Sequence, residues 1–296
     1  MDSSTRVSAF ALKRPERRRR SRLGYLLWRD PGLVLAVAMC LAVVLAGLFP
    51  AFLAPLSPTK IGGRPLQAPS STNLLGTDEL GRDILSRIIY GTRIALGVAL
   101  GGMLISAASG VPLGMAAGYY GGWVDTLLMR FSDALLSFPA ILFAILMAAN
   151  LGPNLLNLMF TIAVIFLPRF ARLARSTTLS IRELEYVQAS RAAGASDARI
   201  VLVAILPNSL TPLLVQITQG MAIAILIEAG LSYLGLGIQP PTPTWGNMLQ
   251  RSQAYLAHAP WYVLAPGGCI FLTVLSLNVL GDRLRDILDP RRKGIL

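Results

Sequence analysis

The sequence predicts an all-α membrane protein with six transmembrane helices, and two observations support this prediction. Hydrophobic residues make up 54% of the 296 positions and charged residues only 14%, whereas a soluble domain usually carries about 25% charged residues. Charged residues are also missing from five long runs, each able to supply the roughly 20 apolar residues that cross a bilayer. These runs cover residues 31–59, 94–124, 134–168, 200–227 and 252–281.

The run at 134–168 is too long for a single helix, and a turn signal divides it. Asn150 and the following Gly152, Pro153 and Asn154 are typical of a turn, so this run is expected to form a hairpin of two short spans. The six predicted spans lie at residues 33–52, 94–117, 132–150, 154–171, 207–231 and 262–281.

The basic residues are unevenly distributed along the chain, whose net charge is +12. If the N-terminus is cytoplasmic, 21 of the 27 basic residues lie at or near the cytoplasmic side and six on the other. This positive-inside bias predicts that both termini are cytoplasmic. The basic tail is expected to contact anionic lipid headgroups, and this distribution argues against a nucleic-acid partner.

The spans and charges together predict four parts of the chain. A basic cytoplasmic tail is expected at 1–32, and the first transmembrane helix with an extracytoplasmic loop at 33–93. A core follows at 94–281, interrupted by a cytoplasmic loop at 172–206, and a second cytoplasmic tail occupies 282–296.

Several kinds of chemistry are missing from the sequence. It contains no G-x-x-x-x-G-K-[ST] phosphate loop, and His258 is its single histidine, which argues against a nucleotide site, a two-histidine metal site and a Ser–His dyad. Cys40 and Cys269 lie in apolar spans and form neither a disulfide framework nor a metal motif. Glu228, near the outer end of its span, is the one acidic residue expected within the membrane, whereas ion-driven carriers usually bury several ionisable groups. We therefore expect no cofactor in this chain and an energy source in a partner protein.

The loop at 172–206 has the pattern of two short helices joined by a sharp turn. Helix-forming residues run from Glu185 to Ala193, Gly194 follows, and Ser196 with Asp197 can begin a second helix. Pro207 opens the next span. The pattern fits both a docking element presented to the cytosol and a plain connection.

The segment at 77–87 carries the signals of a capped helix. Thr77 can cap a helix begun by Asp78 and Glu79, and i,i+4 ion pairs are feasible from Asp78 to Arg82 and from Asp83 to Arg87. We expect an amphipathic helix at the outer interface, packed as a surface helix rather than contacting substrate.

Small residues and tryptophans complete the sequence signals. Gly110, Gly114 and Gly118 share one helix face and predict a close helix contact. Trp245 and Trp261 suit an interfacial aromatic belt.

The stretch QASRAAGASDARIVLVAILP resembles the cytoplasmic EAA loop of ABC importer permeases, E-A-A-x3-G-x9-I-x-L-P. Ala189, Gly194, Leu206 and Pro207 match in register, while residues 188, 190 and 204 depart from the pattern. In that family the loop forms a coupling helix that sits in a groove of the ATPase subunit. The resemblance therefore implies an ATPase-coupling loop that includes Glu185, Gln188, Ala189, Ser190, Gly194, Leu206 and Pro207.

Three other stretches are similar to the C-type permeases of dipeptide, oligopeptide, glutathione and nickel importers. They read LLGTDELGRDILSRIIYGTRIALGVAL, EAGLSYLGLGIQPPTPTWGNML and LNVLGDRLRDILDPR. The resemblance implies the type-1 ABC importer permease fold in a bacterial inner membrane. It also implies a B-type sister permease, ABC ATPase subunits that bind ATP and Mg²⁺, and an extracytoplasmic binding protein.

The substrate and the functional class each have an alternative. Peptides are the expected substrate, with glutathione and nickel chelates as alternatives that share the same sequence features. A membrane-embedded enzyme or scaffold is the alternative of a different class, and it requires polar chemistry clustered at membrane depth. Glu228, Asn150 and Asn278 form no recognisable site of that kind in the sequence.

Overall fold

The computed structural model describes residues 31–288, and this part of the chain is built from helices. Within it the extended pairings are two isolated bridges, Ile61 with Arg82 and Thr77 with Asp83. The helices are α1 Pro31–Leu48, α2 Pro50–Leu53, α3 Ile84–Tyr120, α4 Gly122–Leu136, α5 Ala140–Leu151, α6 Leu155–Arg182, α7 Glu185–Ala192, α8 Asp197–Tyr233, α9 Trp245–Ser252 and α10 Pro260–Leu288. The predicted tails at 1–30 and 289–296 lie outside the described residues.

Four of these helices, α3, α6, α8 and α10, are long and apolar enough to cross a membrane. The pair α4 and α5 counts as a fifth crossing if it is one broken span. The helix α1 has 18 residues, which at 1.5 Å per residue gives a length of about 27 Å, close to the thickness of the hydrocarbon layer.

The predicted span at 132–150 is wrong as a single straight helix. The helices α4 and α5 meet at a bend of 85°, at residues 137–139. Pro139 lacks an N–H and restricts the residue before it, so the chain leaves the helical conformation there. The absence of charges from residues 134–168 could not predict this break, because it depends on how apolar the chain is and not on its backbone geometry.

The helices α3, α6, α8 and α10 extend beyond their predicted spans, whereas α1 ends at Leu48, before the predicted end at 52. The helix α3 begins at Ile84, ten residues before the predicted start at 94, because Asp83 caps it by accepting the Ser86 N–H at 2.8 Å. The helix α6 continues to Arg182, and α8 begins at Asp197. The predicted loop therefore shrinks to α7 and the residues on either side of it.

The amphipathic helix predicted from Thr77 does not form. Gly76 and Gly81 adopt φ of +79° and +77°, which interrupts any helix in this segment. The Thr77 hydroxyl donates to the Arg64 carbonyl at 2.6 Å and accepts the Gln67 N–H, so it fastens the loop instead of capping a helix.

Of the two predicted ion pairs in this loop, one forms. Arg82 Nε lies 2.6 Å from Asp78 Oδ2. Arg87 turns away from Asp83 and lies 3.4 Å from the same Asp78 oxygen, because Asp83 is engaged as the helix cap.

The predicted glycine face forms the contact between α3 and α6. A Cβ atom would lie 2.6 Å from the Leu167 carbonyl oxygen at Gly110, and 2.1 Å from that of Ala171 at Gly114. At Gly118 it would lie 2.8 Å from the Arg175 carbonyl oxygen. The positions advance together along both helices, so α3 and α6 run parallel with their backbones almost touching.

Trp245 does not belong to an interfacial belt as predicted. It is 1% exposed, and its indole N–H donates to the Ile88 carbonyl at 3.1 Å. Trp261 is partly buried. It packs against a small apolar cluster that contains Ile84 and Tyr262 and is separate from the main apolar core of the bundle. Both rings therefore help to close the end of the bundle that carries α9.

A Gly114→Ala substitution is expected to lower the thermal unfolding midpoint of the purified protein in detergent. The added methyl group has no room and forces α3 from α6, at a cost of about 1–3 kcal/mol. Gly97→Ala is the matched control, since its nearest described neighbour is Met159 Cε at 4.0 Å. Equal midpoints for the two variants would contradict this account of the packing.

Candidate functional site

The helix α7 is a short element held between the ends of α6 and α8. Leu184 precedes it in an extended conformation, with φ −72° and ψ 143°. The Gln188 side chain donates to the Arg182 carbonyl at 3.0 Å, which satisfies one of the free carbonyls at the end of α6. Glu185 lies in its first turn and Arg191 in its last, as the helix dipole favours.

A glycine turn ends α7. Gly194 has φ +79°, its N–H donates to the Arg191 carbonyl at 3.0 Å, and the Ala195 N–H donates to that of Ser190 at 3.1 Å. This is a Schellman motif, in which glycine is favoured because side chains disfavour positive φ. The described chain places no atom within 4 Å of the position that a Cβ would occupy. The requirement for glycine within this chain is therefore conformational.

The helix α7 has one buried and one exposed face. Val187 is buried in the main apolar core, whereas Glu185, Gln188 and Ala189 are exposed. Ser190 lies between the two faces, and its hydroxyl donates to the Tyr186 carbonyl at 2.8 Å. The buried valine anchors the helix, so the opposite face is held out toward solvent.

Leu206 and Pro207 belong to α8 and not to α7. They follow a π-helical turn at Ile200–Ile205, in which the Leu206 N–H donates to the Val201 carbonyl five residues earlier. Pro207 has no N–H to offer, and the wider turn leaves room for its ring. Leu206 packs against the core, so these two residues shape α8 and do not contribute to the surface of α7.

A helix starts at Ser196 and Asp197 as predicted, although the expected capping hydrogen bond of Ser196 is not made. Ser196 has the extended φ and ψ of an N-cap, but within the described chain its side chain makes no capping hydrogen bond. Asp197 accepts a hydrogen bond from the Tyr119 hydroxyl at 2.7 Å.

The sequence did not reveal the contacts that fasten α7 to the bundle. Arg182 donates to the Gly118 carbonyl at 2.7 Å, and the Arg191 guanidinium lies 5.4 Å from the centre of the Tyr119 ring. Tyr119 and Asp197 are 78 residues apart, so no local pattern could have paired them. The sequence offered one hint of these contacts, the adjacent Tyr119 and Tyr120 at the end of α3.

A network of buried ion pairs occupies the opposite end of the bundle, where the loop before α3 meets α9 and α10. Glu79 lies 2.8 Å from Arg251 and 3.3 Å from Arg82, and it also accepts a hydrogen bond from Tyr262. Arg87 is buried and donates to the Pro58 carbonyl at 3.0 Å. These contacts tie loop 54–83 to two later helices, so the network fastens the loop.

The environment of Glu79 sets its titration. Burial raises the pKa of Glu79, but hydrogen bonds from Tyr262 and Arg251 outweigh this effect and lower the pKa below its usual value. The ionised form is therefore favoured by the fold. Its contribution to stability is present above the unfolded-state pKa of about 4.3 and is lost as the pH falls through the lowered value.

Two of the polar residues considered for a membrane-embedded enzyme bond within their own helices, although one carboxylate oxygen of buried Glu228 has no hydrogen-bond partner in the described chain. Glu228 accepts a hydrogen bond from Ser232 one turn later at 2.7 Å, and Asn150 donates to the Leu146 carbonyl of its own helix at 2.7 Å. Asn278 is exposed on α10. Among residues 31–288, no group of three or more His, Cys, Asp or Glu side chains is placed to hold a metal ion.

Comparisons with known proteins agree on one family. Residues 110–294 match the family described as "Binding-protein-dependent transport system inner membrane component". The dipeptide transport system permease protein DppC of Alkalihalophilus pseudofirmus is 48% identical over 77% of this chain and 75% of its own. The di/tripeptide permease DppC of Pseudomonas aeruginosa is 43% identical over 86% of each chain. The glutathione permease GsiD of Escherichia coli O6:K15:H31 is 43% identical over 76% of this chain and 75% of its own.

Two solved structures share the fold. An inward-facing form of the MetNI methionine ABC transporter aligns with a TM-score of 0.56 at 17% identity, covering 69% of this chain and 96% of the other. An amino acid ABC transporter aligns with a TM-score of 0.50 at 13% identity, covering 68% of this chain and 94% of the other. The predicted type-1 ABC importer permease fold is confirmed. The chain belongs to the family of inner-membrane components of binding-protein-dependent transport systems, as a multi-pass permease subunit that leaves ATP hydrolysis to separate ATPase subunits.

Proposed function

We propose that this permease imports di- and oligopeptides. The observation that supports this substrate class is the identity of 43–48% to relatives named as dipeptide and di/tripeptide permeases. Relatives named as glutathione permeases are 43–44% identical. Glutathione is itself a small peptide with free amino and carboxylate groups, so it remains the nearest alternative, followed by nickel chelates.

The face of α7 that carries Glu185, Gln188 and Ala189 is the proposed docking surface for an ATPase subunit. These side chains are exposed, while Val187 holds the helix against the core. Gly194 sets the angle at which the chain leaves α7. ATP and Mg²⁺ would be held by the ATPase, and this chain would need no cofactor of its own.

The end of the bundle that carries α7 is proposed to face the cytoplasm, with both termini on the same side. The excess of basic residues in this part of the sequence supports the orientation. The end that carries α9 would then face the extracytoplasmic binding protein. A B-type sister permease would complete the membrane part, as the resemblance to C-type subunits implies.

Transport by the assembled complex in liposomes tests the substrate class. Uptake of a labelled dipeptide should require the binding protein and ATP, and unlabelled dipeptide should compete at a concentration about tenfold below that of glutathione, a difference of about 1.4 kcal/mol. Competition by glutathione or by a nickel–histidine chelate alone would exclude the peptide assignment.

Gly194→Val is expected to abolish uptake while membrane level and complex assembly stay normal. A β-branched residue at φ +79° costs on the order of 1–3 kcal/mol and would turn α7 away from the ATPase. Ala193→Val is the control, because Ala193 is also exposed but has φ −78°. Normal uptake by Gly194→Val would remove α7 from the coupling mechanism, and loss of assembly would show a folding role instead.

Cysteine labelling in right-side-out vesicles tests the orientation. In a variant that lacks Cys40 and Cys269, a membrane-impermeant maleimide should label Ser71→Cys from outside, and Ser196→Cys only after the vesicles are opened. Both serines are exposed in the structure. Labelling of position 196 in sealed vesicles would reverse the proposed topology.

A further inference from the structure

The last turn of α3 contacts both helices that flank the glycine turn. Tyr119 is 6% exposed. Its hydroxyl donates to Asp197 in the first turn of α8 at 2.7 Å, and its ring lies under the guanidinium of Arg191 in the last turn of α7. One side chain thus contacts the chain on either side of Gly194.

The same turn of α3 is fixed to α6. A Cβ at Gly118 would lie 2.9 Å from Thr178 Cβ, so the two backbones are in close contact. Arg182 Nη1 donates to the Gly118 carbonyl at 2.7 Å, and about two turns earlier in α6 Arg175 makes two hydrogen bonds of 2.5 Å to Asp125 of α4. A force on Tyr119 therefore acts on α3, α6 and α4 together.

A direct side-chain hydrogen bond also joins α7 to α8. Tyr186 accepts a hydrogen bond from Asn208 at 3.0 Å, and this bond is exposed to solvent. By comparison, the bond from Tyr119 to Asp197 involves a carboxylate and a buried ring, and charge-assisted hydrogen bonds are the stronger class.

We propose that Tyr119 is a positioning residue that passes the movement of α7 to the membrane helices. The proposal rests on the docking function of α7 and adds the route by which that movement reaches α3. Displacement of α7 moves Arg191 directly and Asp197 through the short glycine turn, and both residues contact the same tyrosine. The pull is delivered at the end of α3, where the glycine contact with α6 makes the two helices move as one body.

Tyr119→Phe tests the proposal, with Tyr120→Phe as the matched control. Tyr120 is the next residue, is 62% exposed and has no described hydrogen bond from its hydroxyl. Uptake and ATP hydrolysis are measured in the same liposomes holding the assembled complex. We expect Tyr119→Phe to lower the amount of substrate imported per ATP about tenfold, as loss of a hydrogen bond to a charged group implies. Tyr120→Phe should leave this ratio unchanged.

Asp197→Ala provides the second variant, because Asp197 is exposed and its loss does not open the core. It should lower the ratio as Tyr119→Phe does, and the double variant should be no worse than either alone. An unchanged ratio in both single variants, or fully additive losses, would overturn the proposal. If Tyr119→Phe fails to assemble, the ratio in Asp197→Ala decides.

Different results would contradict the docking function of α7 and the role of Tyr119. Normal uptake by Gly194→Val means that α7 does not couple at all. Loss of uptake in Gly194→Val together with a normal ratio in Tyr119→Phe means that α7 couples through another contact.

Discussion

The close approach of α3 and α6 is the constraint on which the rest of the structure depends. At Gly114 the space for a Cβ is already taken by the Ala171 carbonyl, at 2.1 Å, so the two helices can be this near only because the residue is glycine. Parallel helices in such contact bring the last turn of α3 beside the C-terminal part of α6. The ends of α3 and α6 therefore form one platform, and α4, α7 and α8 are all fastened to it.

The two ends of the bundle are stabilised by different kinds of interaction. At the α9 end, Asp78, Arg82 and Arg87 are buried together, and removing one partner would leave a buried charge unpaired at a cost of about 3–5 kcal/mol. That end is consequently held as a rigid cap over the membrane helices. At the α7 end the ion pairs are exposed to solvent, so this end is held less rigidly and its movement is passed to the helices that it contacts.

Local chemistry determined how much of the fold could be predicted from the sequence. Apolar runs and the glycine spacing in α3 are periodic signals, and the positive φ at Gly194 follows from its place after a helix. Thr77 was misassigned because its capping pattern is also that of a loop fastened by hydroxyl contacts, and the two differ only in which carbonyl lies nearby. Trp245 was misplaced because an aromatic ring suits both an interface and a core. The pairing of Tyr119 with Asp197 depends on how α3 and α8 cross, which no stretch of the sequence encodes by itself.

The π-helical turn at Ile200–Ile205 has a consequence for changes in chain length. An inserted residue in a regular helix rotates everything before it by about 100° relative to everything after it. A π-helical turn instead accommodates one residue more than an α-helical turn. The helix segments before and after it keep nearly the same relative orientation. The chain between Gly194 and the apolar part of α8 can therefore differ by one residue without turning α7 to a new direction. Pro207 keeps the surplus at this place, since its ring would collide with the carbonyl of a tighter turn.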